Sequence, residues 1–195
     1  MRRYGLAIDP GMSTGACLFS WGDDEDQPFR QEKLWQFPGG APMLGAFLRS
    51  IEMHQYRHPG GESELYVKVD GVELPLRVLV MEKFTPRPHE TFSLTLKSVE
   101  PLRGEGVLIG MGFHDFIDWA EPSQQYFMGG SDLADKKKRS REFLKLNGIH
   151  VTGSMVGQKD ADDAISAQLH AIAWLRRTRH GATLLDLFSP TTEEP

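Results

Sequence analysis

Three strand-length apolar runs precede the first helical pattern in this chain, and that order constrains the fold most. Tyr4 to Asp9 (YGLAID) is a short buried-type run that stops at Asp9-Pro10-Gly11, the signature of a strand entering a turn. Ala16 to Trp21 is a second run and Phe29 to Phe37 a third, with the acidic turn Asp23 to Asp26 between them. Consecutive strands joined by short turns pair antiparallel. Ala41 to Tyr56 then spaces Met43, Leu44, Phe47, Leu48 and Ile51 as a helix does, with Pro42 acceptable in the first turn.

The remaining elements extend this into a layered α/β pattern. Glu64 to Leu76 alternates around Asp70-Gly71, a hairpin signal, and reads as a surface insertion over about residues 62–76. Arg77 to Phe84 (RVLVMEKF) is a core strand. Thr91 to Met111 predicts a helix broken or restarted near Pro101, and Phe113 to Glu121 contains a short strand. Ser131 or Asp132 caps a helix that runs to Leu146 and stops at Asn147-Gly148. The last long helix covers Asp160 to about Arg179, with an apolar stripe of Ala161, Ile165, Leu169, Ile172 and Leu175. Strands followed by alternating helices and strands close most naturally as a mixed sheet with helices on both faces. One domain over residues 1–188 is expected, with a flexible tail at 189–195.

The chain's 195 residues carry 22 Lys+Arg against 27 Asp+Glu, a formal net charge of −5. Taken as a sum, that balance argues against nucleic acid as a partner. No apolar run approaches the roughly 20 residues of a membrane span, and the N-terminus reads as a strand, not a signal peptide. A single cysteine, Cys17, excludes an internal disulfide framework and fits a reducing cytoplasm. The seven histidines show no zinc-ligand spacing.

The placement of the acids matters more than their number. Asp9 ends the first strand, Glu82 sits near the end of RVLVMEKF, and Asp160 and Asp163 open the last helix three residues apart, on one face. Taken singly, Asp160 and Asp163 suit a helix start and Asp9 suits a turn. A charge inside a buried-type run, as at Glu82, is rarer. Converging carboxylates repel, by about 4 kcal/mol per pair at 4 Å and an effective dielectric of 20. A cluster of this kind makes sense around divalent cations, and oxygen-only ligands suit Mg²⁺ or Mn²⁺. Two such ions can activate a water and stabilise the leaving oxygen of a phosphodiester.

Asp9-Pro10-Gly11-Met12-Ser13-Thr14-Gly15, Glu82 on the fourth core strand and Lys159-Asp160-x-x-Asp163-Ala164 on the last helix together resemble the RuvC-like Holliday junction resolvases of the RNase H-like superfamily. The resemblance implies an RNase H-like fold: a mixed five-stranded sheet, three antiparallel strands then two parallel, flanked by helices. It implies a homodimer that cuts four-way and other branched DNA with two Mg²⁺ per site, Mn²⁺ substituting. The family's four acids fall on Asp9, Glu82, Asp160 and Asp163. The family's junction-contacting segment falls on Phe84, Arg87 and His89, where an aromatic such as Phe84 can stack on an unpaired base. The hairpin insertion departs from the compact bacterial pattern and points to a phage-type, divergent member. Family members carry Lys or Arg shortly after the fifth strand, where this chain has Gln124 and Gln125.

Residues 136–145 hold six basic residues and one acid, and Lys136, Lys137, Lys138, Arg139 and Arg141 are candidates for phosphate contact. Two other readings share parts of the pattern. One is an RNA-directed, YqgF-like nuclease of the same superfamily. The other is an actin-like ATPase or kinase, whose Gly-Ser/Thr-Gly turn cradles phosphate; such proteins need a second, related domain and a second acidic turn, which this chain lacks.

Overall fold

The structure, a computed structural model, describes residues 2–22, 29–83, 96–147, 149 and 162–180. Among the described residues, seven strands form one sheet. They are β1 (Arg3–Asp9), β2 (Ser13–Trp21), β3 (Arg30–Pro38), β4 (His54–Arg57), β5 (Ser63–Val69), β6 (Val72–Glu82) and β7 (Ile117–Ala120). Among the described residues, four α-helices cover it: α1 (Gly40–Ser50), α2 (Leu96–Gly110), α3 (Leu133–Leu146) and α4 (Asp162–Leu175). No helix among the described residues is long and apolar enough to cross a membrane.

The sheet order is β3-β2-β1-β6-β5-β4. β1 pairs antiparallel with β2 and parallel with β6, so β1 and β6 release their C-terminal ends at the same edge. β6 is long enough to serve two neighbours on one side. Its first half pairs antiparallel with β5, and its second half pairs parallel with β7. The sheet therefore holds seven strands where five plus a surface insertion were expected, because residues 54–57 and 63–69 add their hydrogen bonds to the same sheet. At the β5–β6 turn, Asp70 and Gly71 both take positive φ, 52° and 82°.

Two helix boundaries differ from the sequence expectation. The predicted helix to Tyr56 ends at Ser50. Glu52 adopts φ 44°, which turns the chain out of the helix, and His54–Arg57 finds strand partners on β5. The predicted break at Pro101 is absent: α2 runs through it. That proline lies inside the helix and removes one backbone hydrogen bond. α3 starts at an Asp132 N-cap whose side chain accepts from the Asp135 amide.

Strand alternation divides the core into two layers. Leu6, Ile8, Leu18, Leu79 and Met81 face the α1–α2 side, with Leu44, Leu48 and Leu108. Ala7, Cys17, Phe19, Val78 and Val80 face the α4 side, with Ala167, Ala171 and Trp174. The same parity places Asp9, two residues after Ala7, and Glu82, two after Val80, toward α4. Ile165, Leu169 and Ile172 of α4 pack with Leu144 of α3, tying the basic helix to this layer.

Candidate metal centre

The site begins with backbone register. Ile8 is level with Met81 across the parallel β1–β6 pair, so Asp9 and Glu82 follow side by side at the strand ends. On the other side of Asp9, its antiparallel partner is Gly15. A Cβ at Gly15 would lie 1.9 Å from the carbonyl oxygen of Asp163. Only a residue without a side chain allows the first turn of α4 to rest there. Gln36 of β3 fixes the same turn, accepting the Ala164 amide at 3.1 Å. The glycine closing Asp-Pro-Gly-x-Ser-Thr-Gly thus brings Asp163 across from Asp9.

Burial first, and then the charges of Glu82 and Asp163, push the Asp9 carboxyl well above the usual aspartate range. A hydrogen bond from Ser166 and the charge of Lys137 act the other way without cancelling the rise. Asp163, Ser166 and His170 are spaced i, i+3, i+7, so one face of α4 carries all three. His170 is fully buried, and its Nε2 lies 2.8 Å from Glu82 Oε2. Gln125 donates from Nε2 to the same oxygen at 3.4 Å.

Asp9, Glu82 and His170 each offer one donor atom within 4.8 Å of the others. The donor set is rich in carboxylate oxygen, and the charges of Glu82 and Asp163 raise the proton affinity of Asp9. Both features fit a hard divalent cation, which would relieve the repulsion that burial intensifies. The residues in place are therefore suited to hold Mg²⁺ or Mn²⁺.

The structure brings Asp9, Glu82 and Asp163 together. Asp160, Phe84, Arg87 and His89 lie outside the described residues. The candidate phosphate contacts differ in their surroundings along α3. Lys137 and Arg141 line a cleft with Gln125, Tyr126, Ser140 and Ser166, and Ser166 in turn hydrogen-bonds Asp9. Arg139 is held by Asp135 at 3.0 Å, and exposed Lys138 stands 4.0 Å from Glu142. Lys136 is half-buried.

Sequence reasoning missed Ser166, His170 and the contact of Gln125 with Glu82. The helical spacing from Asp163 was available for the first two. A histidine on an apolar helix face, however, looks like any buried core histidine until the strand opposite is known. Gln125 stood out only as a departure from a basic pattern.

No family model matches this chain, and no curated protein matches it. Among solved structures, it is similar to T. thermophilus RuvC in complex with Holliday junction substrate, at 12% identity and a TM-score of 0.49, covering 90% of this chain and 96% of that one. It is also similar to a Thermus thermophilus RuvC structure, at 13% identity and a TM-score of 0.47, covering 91% and 97%.

Proposed function

We propose that this protein is a divalent-metal-dependent endonuclease that hydrolyses phosphodiester bonds in branched DNA, four-way junctions foremost. The observation that carries this reading is the meeting of Asp9, Glu82 and Asp163 at the ends of two parallel strands and one helix, beside a basic helix. The choice of branched DNA rests on the motif resemblance carried by Asp9 to Gly15, Glu82 and Asp160 to Ala164.

Asp9, Glu82 and Asp163, joined by Asp160, would hold two Mg²⁺. A divalent cation in such a site supplies Lewis-acid stabilisation of the charge that develops on a phosphodiester. Ser166 orients the Asp9 carboxylate through its hydrogen bond. Lys137 and Arg141 face the cleft that Ser166 also lines, where they can hold a phosphate. In the reaction a water oxygen bonds to phosphorus, the bond to the 3′ oxygen breaks, and that oxygen takes a proton. The products are 5′-phosphate and 3′-hydroxyl ends. Phe84 and Arg87 would meet the junction. The active form would be a homodimer acting in the cytoplasm, each subunit cutting one strand.

Cleavage of a four-way junction, a flap, a plain duplex and an RNA/DNA hybrid, each with Mg²⁺ or EDTA, tests the reading. Metal-dependent cutting that favours the branched DNAs is expected. Cutting confined to the hybrid would move the protein to an RNA-directed nuclease. No metal-dependent cutting of any substrate would overturn the proposal.

A further inference from the structure

His170 has two possible relations to the metal centre, and its two ring nitrogens distinguish them. Nε2 lies 2.8 Å from Glu82 Oε2. Nδ1 is buried and has no hydrogen-bond partner among the described residues. A histidine that ligates a metal through one nitrogen almost always donates its other N–H to an outer partner. Were Nε2 the ligand, the proton would sit on Nδ1, leaving a buried donor unmatched, which is costly. With the proton on Nε2, the ring donates to Glu82 and Nδ1 is left as a bare acceptor.

Gln125 reaches the same oxygen from the other side. Its Nε2 donates to Glu82 Oε2 at 3.4 Å, and it is only 6% exposed. Its amide oxygen is buried without a partner among the described residues, so Glu82 is the one hydrogen-bond partner this side chain has there. One donor comes from the middle of α4, the other from the turn Pro122–Tyr126 that follows β7. Two donors on one carboxylate oxygen restrict its rotation more than either alone.

We propose that His170 and Gln125 are positioning residues: they clamp Glu82 by Oε2 and leave Oε1 to ligate the metal. This rests on the reading of Asp9 and Glu82 as metal-holding groups. Loss of such an outer hydrogen bond typically weakens metal affinity 10–100-fold. The glutamine amide nitrogen can occupy the place of the imidazole Nε2, so His170→Gln keeps the donor while replacing imidazole as a ligand.

The test is calorimetric titration with Mn²⁺ of the full-length wild type, His170→Ala, His170→Gln, Gln125→Leu and Glu82→Gln. Melting in EDTA checks that each variant is folded. His170→Ala should bind Mn²⁺ about 10–100-fold more weakly than wild type. His170→Gln should stay within about 3-fold, and Gln125→Leu should fall about 10-fold. If His170→Gln loses as much as His170→Ala, imidazole is itself a ligand and the clamp is overturned. Unchanged affinity in both His170→Ala and Gln125→Leu overturns it as well. If wild type binds no Mn²⁺, the metal-centre reading fails first. Should one histidine variant not fold, Gln125→Leu and the other histidine variant still decide the matter.

Discussion

The two faces of the sheet both hold carboxylates, and they treat them in opposite ways. On the α1–α2 face, Glu100 is 2% exposed and fully provided for. It accepts the Ala41 amide at the start of α1 and an Arg103 hydrogen bond at 2.8 Å. Its charge is matched by a guanidinium and by the N-terminal end of a helix dipole. On the α4 face, Asp9 meets two further carboxylates, and one serine hydroxyl and one lysine charge only partly offset the repulsion. Buried side-chain atoms without hydrogen-bond partners among the described residues occur there too, at Gln125 and His170. A carboxylate that staples helices together is satisfied by the chain itself. At Asp9 the opposing charges of Glu82 and Asp163 outweigh what the chain offers in return.

The comparison can be broken by mutation. Its largest expected effect is on catalysis: Asp9→Asn or Asp160→Asn should lower junction cleavage by at least about 1,000-fold while junction binding survives in a gel-shift assay. Full activity in both would remove the metal-centre assignment. Gly15→Ala comes next. The added methyl meets backbone at 1.9 Å, so α4 must lift from β2 and carry Asp163 away from Asp9. A loss of cleavage of about 100-fold or more is expected, because small misplacements of reacting groups are expensive. Wild-type turnover in that variant would mean α4 is not held as described.

On the other face, Glu100→Ala should cost about 2–4 kcal/mol in urea unfolding, since it removes charged hydrogen bonds and strands an α1 amide. Junction cleavage at a temperature where the variant is folded should change little. A variant as stable as wild type would show that Glu100 is not the staple it is taken for. The smallest effect concerns the basic helix. Replacing Lys136, Lys137 and Lys138 by Gln should weaken DNA binding and reduce the slope of log K against log salt by about 3 at most. Lys138 stands near Glu142, so its share should be the least. An unchanged slope would leave that helix face simply solvated.

How much of this was readable beforehand depended on whether the signal was local. Asp9 and Glu82 announced themselves because a charge ending an apolar run is conspicuous without knowledge of its neighbours. Asp132 as an N-cap was equally local. The end of α1 was not. The helical period of its apolar residues gives no warning that Glu52 turns and that 54–57 prefers a strand partner well downstream. Pro101 misled for the opposite reason: a proline inside a helix removes a backbone bond and crowds the preceding turn, yet α2 runs through it. The roles of His170 and Gln125 depend on an oxygen more than 40 residues away in sequence from either. Gly15 belonged to a recognised motif, yet its reason lies in the backbone of α4.

The central claim is that the Asp9 cluster is strained alone and relieved by metal. Thermal melting of wild type and Asp9→Asn, each in EDTA and in Mn²⁺, tests it directly. Because Asp9 holds its proton more tightly folded than unfolded, metal-free stability falls as pH rises from the usual aspartate range near 4 through the raised value. Asparagine has no such loss. At pH 7 in EDTA, Asp9→Asn should therefore melt above wild type, by about 2–8 °C for about 1–2 kcal/mol. Below about pH 4 the advantage should vanish. In Mn²⁺ the wild type should gain stability and the variant gain little, closing or reversing the gap. An Asp9→Asn protein that melts below wild type in EDTA, or a wild type indifferent to Mn²⁺, would contradict the account.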